Sequence, residues 1–350
     1  MKAALFAEVS AAAAKGPEGL ASLSLAASDE WVTNSRGLRL HVRTATAKAA
    51  RAKGIVVFVH GIGAHCSRPN WTLLSKYFTE SLGYHYAAFD FAGHGYSAGL
   101  KGYIGSPEDL LDDLSSFLDV LYRPSSSSSD SSQVKLPALD PSNTPFFLLG
   151  SSMGGAVSLL LAHLATQSSE VNREALRGVA HWGRACSGCI LSAPALLISK
   201  PPAAVIFVLD WIVSPLLPTA LLPAAFSSSK PDSLTWELDA YGDYVQADPL
   251  SRSGPLMFRT AGSVVRLIDA VGDAVPAIGG GSGEGGLRVL VLMDPDDGIC
   301  LFAGAERLQE QSPLAARGGV KLVPMPGARH DVLTNRMDEA VEVIAQWLQA

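Results

Sequence analysis

The chain has 350 residues, 48% of them hydrophobic and 17% charged, with a formal net charge of −6. That is enough apolar material for one elaborated α/β unit or two domains, and it excludes disorder throughout. No run clusters Lys and Arg, so a nucleic-acid partner is excluded, and four scattered cysteines do not make a disulfide scaffold but point to a reducing, cytoplasmic compartment.

Residues 1–30 are Ala-rich with an apolar start, but Glu8, Glu18, Asp29 and Glu30 interrupt any signal-peptide core. They read as a loose or helical low-complexity leader, with an organellar address as the alternative. The apolar runs Ile55 to His60, His85 to Asp90, Phe146 to Gly150, Cys189 to Ala193, Leu287 to Met293 and Val320 to Met325 are short and mostly unalternating, the pattern of strands covered on both faces. Between His85–Asp90 and Phe146–Gly150, the spacing predicts a helix after Ser106. Ser106 caps it, Pro107 suits its first turn, and Leu110, Leu114, Phe117, Leu118 and Leu121 share one face. Strands alternating with helices predict a mostly parallel, doubly wound α/β sheet.

Several segments break this rhythm. Residues 124–143 and 279–286 are low-complexity insertions expected as flexible loops, and the second lacks the Lys-Ser/Thr of a phosphate-binding loop. Cys186 and Cys189 form a lone C-x-x-C without further ligands, so two ordinary thiols are expected and no metal. Residues 194–266 are rich in Pro and Leu and read as an insertion above the sheet. The run from Ala203 is long enough to span a bilayer, but Asp210, Pro215, Pro218 and Pro223 argue against a straight membrane helix. The expected organisation is a leader (1–30), a core in two parts (31–193 and 267–350), and a mainly helical cap (194–266).

Within Phe146 to Ala156, the spacing G-x-S-x-G is met by Gly150, Ser152 and Gly154, directly after a strand pattern and before a helical one. A nucleophile on such a sharp turn needs small residues two positions away on each side, and the helix start beyond it offers free N–H groups to an oxyanion. A serine hydroxyl also needs a base. Of eight histidines, only His330 lies late in the chain, in a loop after a strand. Asp294, Asp296 and Asp297 end the preceding strand, and any of them could orient His330. The order Ser, Asp, His is that of the α/β-hydrolases. The turn at Gly61 and Gly63 places the Ile62 N–H beside that of Met153 as a second oxyanion donor, while His60 is expected to orient that turn. A dinucleotide fold, with Asp90 as ribose ligand, is the weaker alternative, because Cys66 stands where its third glycine belongs.

The segments FVHGIGAHCSRPNW, GYHYAAFDFAGHGYSAGLKGYI, FFLLGSSMGGA, LSAPAL, ADPL, LMDPDDGICL and MPGARHDVL resemble the monoacylglycerol lipase and lysophospholipase-like branch of the serine α/β-hydrolases, which is related to the serine aminopeptidase-like hydrolases. The resemblance runs from about Trp31 onward and implies Asp297 as the acid. It also implies an apolar, tunnel-forming cap able to dock on a membrane or lipid droplet, a small-molecule acyl ester substrate and no cofactor. The chain departs from the branch at two sites: Ser151 replaces its usual His, and the pair Phe91 and Ala92 stands where a basic residue is usual. A non-catalytic ligand-binding protein on the same fold is the alternative function. Oligomeric state is not legible.

Overall fold

The structure, a computed structural model, describes residues 2–25, 28–123, 134–137, 139–166, 176–223, 234–237, 239–280 and 286–350. Parts of the expected insertion (124–133 and 138), of the Gly-rich loop (281–285) and of the expected cap (224–233 and 238) lie outside the described residues.

Eight strands form one sheet: β1 (Glu30–Thr33), β2 (Arg39–Ala45), β3 (Ile55–Val59), β4 (His85–Phe89), β5 (Phe146–Ser151), β6 (Cys186–Ser192), β7 (Arg288–Met293) and β8 (Val320–Pro324). Their order is β1-β2-β4-β3-β5-β6-β7-β8. From β4 to β8 every pairing is parallel, and β1 and β2 pair antiparallel at one edge. The six apolar runs of the sequence account for the parallel part. Residues of β3 divide strictly between two cores: Ile55, Val57 and Val59 pack on one side, Val56 and Phe58 on the other. Both faces are dry, which is why the strand shows no polar alternation.

The edge hairpin β1–β2 escaped the sequence reading, because its strands carry Thr, Arg and His among few apolar residues. Its turn is set by Asn34, whose side-chain oxygen accepts the N–H groups of Arg36 and Leu38 at 3.1 and 2.8 Å, and by Gly37 at a φ of +75°. The expected helix forms over Pro107–Tyr122. The Ser106 side chain accepts the Asp109 N–H at its start, and the five apolar residues of its face are all buried against the sheet.

The first 21 residues hold two helices, Lys2–Ala13 and Gly16–Ala21, with Val9 and Leu20 fully buried in the same core as Ile344 and Leu348 of the helix Met337–Gln349. Between β6 and β7 the chain leaves the sheet through a helical run at Ala203–Leu216 and the helix Asp239–Ala247. It returns by the helix Phe258–Ala274, which runs unbroken through residue 266, and Leu267, Ile268 and Val271 pack that helix into the core. No helix among the described residues is long and apolar enough to cross a membrane.

Candidate active site

Strand β5 ends at Ser151 and a helix begins at Met153, so Ser152 alone makes the turn. It sits at a φ of +51°, the left-handed region that side-chain-bearing residues rarely occupy. Tertiary contacts hold it there: its N–H donates to the Ser192 carbonyl, and its own carbonyl accepts from Gly155 and Ala195. The flanking glycines answer to space. A Cβ on Gly154 would lie 2.1 Å from the Val59 carbonyl oxygen, and one on Gly150 would lie 2.5 Å from that of Gly154. The G-x-S-x-G spacing is therefore the footprint of a backbone that packs on its neighbours at every second residue.

His330 follows β8, and Asp297 follows β7, both at the carboxyl edge of the sheet. His330 Nε2 lies 3.0 Å from Ser152 Oγ, and His330 Nδ1 lies 2.8 Å from Asp297 Oδ2. The carboxylate can only accept, so the Nδ1 proton points at it and the Nε2 lone pair faces the serine hydroxyl. Asp297 is itself held by the N–H groups of Ile299 and Cys300, which donate to its other oxygen at 2.7 and 3.1 Å. Of the three acids in the cluster, Asp296 is exposed and Asp294 does not reach His330. Asp294 accepts from Asp296 and from Arg329, the residue before the histidine.

The Ile62 turn lies against the serine: a Cβ on Gly61 would stand 3.2 Å from Ser152 Cβ. Met153 opens its helix, so its N–H has no acceptor within that helix. His60 orients the turn. Its Nε2 accepts the Phe91 N–H at 3.0 Å, which leaves its Nδ1–H to donate to the Gly61 carbonyl at 2.7 Å. Complete burial, and then the neighbouring His94, push this imidazole down to about 3, so it stays neutral at ordinary pH.

A second lock holds the same turn from the other side. His65 accepts the Ser67 N–H on Nδ1 and turns Nε2 to Asp248, 2.6 Å away, while the Arg252 N–H donates to the Gly63 carbonyl. Burial alone would raise the Asp248 carboxyl, but the hydrogen bonds from His65 and Ser251 hold it below the usual carboxylate range. Asp90 does not face a cofactor site. Its oxygens take the Cys66 and Tyr96 N–H groups and meet His41 Nδ1 at 2.9 Å, and both side chains are fully buried. Sequence reasoning saw Asp90 only as a dinucleotide ligand and assigned no role to His65. Their signal was the cluster of His, Asp and Gly in the loops after β3 and β4. Cys66 completes a group with His41 and Asp90 whose ligand atoms lie within 4.8 Å of one another. Hydrogen bonds within the protein already engage that group, His41 Nε2 accepting from the Ser28 N–H at 3.0 Å. None of the four cysteines is in a disulfide, and all are buried.

A cavity of about 590 Å³ opens over Ser152 and His330. Trp71, Trp236 and Leu256 give it apolar wall, and Arg68, Gln246 and Arg252 give it polar wall. Ser151, at the position of the branch's usual histidine, also borders it, whereas Phe91 is fully buried edge-on against His60.

The family described as serine aminopeptidase, S33 matches residues 50–337. Monoglyceride lipase of Mus musculus is 24% identical over 293 residues, 83% of this chain and 80% of that protein. Phospholipase YtpA of Bacillus subtilis (strain 168) is 30% identical over 114 residues, about a third of each chain (33% and 36%). Among solved structures, the monoacylglycerol lipase of Paleococcus ferrophilus superposes with a TM-score of 0.64 at 20% identity, covering 88% of this chain and 98% of that one.

Proposed function

The chain belongs to the serine aminopeptidase S33 family of α/β-hydrolases and is a carboxylic ester hydrolase. We propose that it acts on acyl esters of glycerol or of a lysophospholipid through an acyl-enzyme on Ser152. The observation that carries this reading is the position of the His330 ring, with Ser152 Oγ at one nitrogen and Asp297 at the other.

In the proposed reaction, Nε2 of His330 takes the Ser152 proton as the oxygen attacks the ester carbonyl. Asp297 keeps the imidazolium in place. The N–H groups of Ile62 and Met153 hold the oxyanion, a donor pair of the kind in which each member is worth roughly 3–4 kcal/mol. Collapse of the tetrahedral intermediate releases the alcohol, which takes the proton from His330. Water, deprotonated by the same imidazole, then attacks the acyl-enzyme, and free acid leaves while Ser152 recovers its proton.

The cavity walls support the substrate class, since the tryptophans and Leu256 suit an acyl chain and Arg68, Gln246 and Arg252 suit a hydroxylated or phosphorylated alcohol. The outer face of the cap adds a route for such a substrate. Phe207, Trp211 and Leu216 are 59%, 74% and 75% exposed on one short helical run, and Leu217, just past its end, is 55% exposed, together an apolar patch that fits a lipid surface. Two assays test the reading: fluorophosphonate labelling with and without Ser152→Ala, and hydrolysis of p-nitrophenyl esters from acetyl to palmitoyl. Labelling of Ser152 and a preference for medium or long chains are expected. A protein that is not labelled would end the hydrolase mechanism, and preference for acetyl alone would end the lipid substrate.

A further inference from the structure

The loop that carries His330 is not held by the sheet alone. A four-residue stretch of the cap, Leu234–Glu237, lies along it and shares hydrogen bonds with Arg329, His330, Asp331, Asn335 and Arg336. The His330 N–H donates to the Leu234 carbonyl and the Asp331 N–H to the Thr235 carbonyl, both at 3.2 Å. The Trp236 indole N–H donates to Asp331 Oδ2 at 3.0 Å, and the Arg329 guanidinium donates to the Trp236 carbonyl. On the far side of the stretch, Leu234 faces Gly298 in the loop that carries Asp297, where a Cβ would meet its methyl groups at 3.3 Å. This strap of the cap therefore touches the loops of both the imidazole and the carboxylate.

One side chain ties the strap to the base loop. Asn335, 3% exposed, donates from Nδ2 to the Thr235 carbonyl at 2.8 Å and to the Ala328 carbonyl at 2.7 Å, and its Oδ1 accepts the Glu237 N–H at 3.0 Å. Both amide protons and the carbonyl oxygen are used, so the carboxamide orientation is fixed by its partners. The Ala328 carbonyl precedes His330 by two residues, and Thr235 is the residue whose carbonyl receives the Asp331 N–H. Asn335 thus closes a ring of hydrogen bonds around the histidine backbone. The ring is anchored further into the core. Thr334 donates to Asp331 Oδ2 at 2.7 Å and accepts from Asn70, which in turn accepts from Tyr241.

Such a brace bears on catalysis because the imidazole must stay in place through four proton transfers per turnover, two as base and two as acid. Displacement of a reacting group by about 1 Å can cost on the order of 100-fold in rate. The loop has little of its own to prevent this. Arg329 occupies a φ of +55°, and the loop spans the end of β8 to the short helix Val332–Asn335. We propose that Asn335 is a positioning residue for the reaction, fixing the His330 imidazole on Ser152 by fastening the cap strap Leu234–Glu237 to the base loop. This rests on the hydrolase reading above. Asn335 does not border the cavity over Ser152, so its influence runs through the His330 backbone and leaves ester binding alone.

The test uses the full chain, a soluble p-nitrophenyl ester and a fluorophosphonate. Asn335→Ala removes all three bonds. Asn335→Asp keeps the volume and the acceptor for Glu237 while replacing both donors, and serves if the alanine variant does not fold. Trp236→Phe weakens the strap from its other side while keeping an aromatic ring in the cavity wall. In folded variants of Asn335, kcat and the rate of Ser152 labelling are expected to fall about 10- to 100-fold while KM stays within about threefold. Combining Asn335→Ala with Trp236→Phe should cost less than the product of the two, because both loosen one brace. The proposal is overturned if kcat and labelling stay within twofold of the unaltered protein, or if KM alone rises. An unaltered protein that fails to react with the fluorophosphonate would instead remove the hydrolase reading itself.

Discussion

The Asp294 carboxylate accepts the backbone N–H of Arg329 at 2.6 Å, fastening the turn one residue before His330 to the end of the neighbouring strand. Two carboxylates three residues apart therefore divide the work: Asp297 meets the imidazole, and Asp294 holds the main chain that presents it. Asp297→Asn should lower kcat by roughly 10⁴-fold, since an amide at that place favours the wrong tautomer. Asp294→Ala should cost about 10-fold, and Asp294→Asn, which keeps an acceptor, only a few-fold. Steady-state kinetics on one soluble ester rank the three variants, and a loss for Asp294→Ala as large as that for Asp297→Asn would contradict the division.

The glycines around Ser152 answer to backbone atoms, which cannot rotate away. Gly154→Ala would set its methyl 2.1 Å from the Val59 carbonyl oxygen and 2.6 Å from that of His60. Overpacking of this kind costs about 1–3 kcal/mol, and here the displaced strand end leads into the Ile62 turn that we propose binds the oxyanion. A lowered melting temperature together with reduced kcat is expected. Gly254→Ala provides the contrast in stability, because nothing lies within 4 Å of its Cβ position, although its φ of +107° adds backbone strain. Thermal unfolding of the two variants gives the comparison.

Stability should fall on the acid side below about pH 6.5, through buried histidines that refuse a proton. Burial pushes His60 down to about 3 and His94 down to about 4 from an ordinary 6.5. Between those values and 6.5 the unfolded chain binds protons that the folded one refuses. The contribution of these groups is thus complete above pH 6.5 and is lost as pH falls through the folded values. Below about 3.8, Asp90 and Asp248, held low by their histidine partners, add to the loss. Melting temperature measured from pH 8 to pH 4 should decline below 6.5, and His94→Asn, which cannot take up that proton, should flatten the slope. A slope identical to that of the unaltered protein would show that His94 is not the source.

The apolar patch on the cap separates surface binding from chemistry. Replacing Trp211 and Leu216, 74% and 75% exposed, by serine should weaken sedimentation with phospholipid vesicles and slow hydrolysis of dispersed monoacylglycerol. Hydrolysis of a soluble short-chain ester should stay within about twofold, because neither residue borders the cavity over Ser152. Equal losses on both substrates would assign the patch to folding.

The six parallel strands, the helix Pro107–Tyr122 and the serine turn were legible in the sequence because each depends on residues within a few positions of one another. A strand covered on both faces shows as an unbroken apolar run. A capped helix shows in Ser106, Pro107 and a repeating leucine face. A turn packed on carbonyl oxygens admits only glycine at Gly150 and Gly154. The antiparallel edge hairpin was not legible, since its few apolar residues among polar ones suit a loop equally well.

What only the tertiary structure decided is which distant side chains meet. Residue types and spacing left three acids open at the end of β7, and the family resemblance pointed to Asp297; in the structure the backbone bonds to Ile299 and Cys300 aim Asp297 at a ring 33 positions away, while that ring reaches a serine 178 positions away. Nor does any local pattern reveal that Leu234–Glu237 would lie along the His330 loop, with Asn335 between them. Main-chain conformation is written in the size and polarity of near neighbours. The pairing of a donor with an acceptor a hundred residues away depends on where the whole sheet and cap carry them.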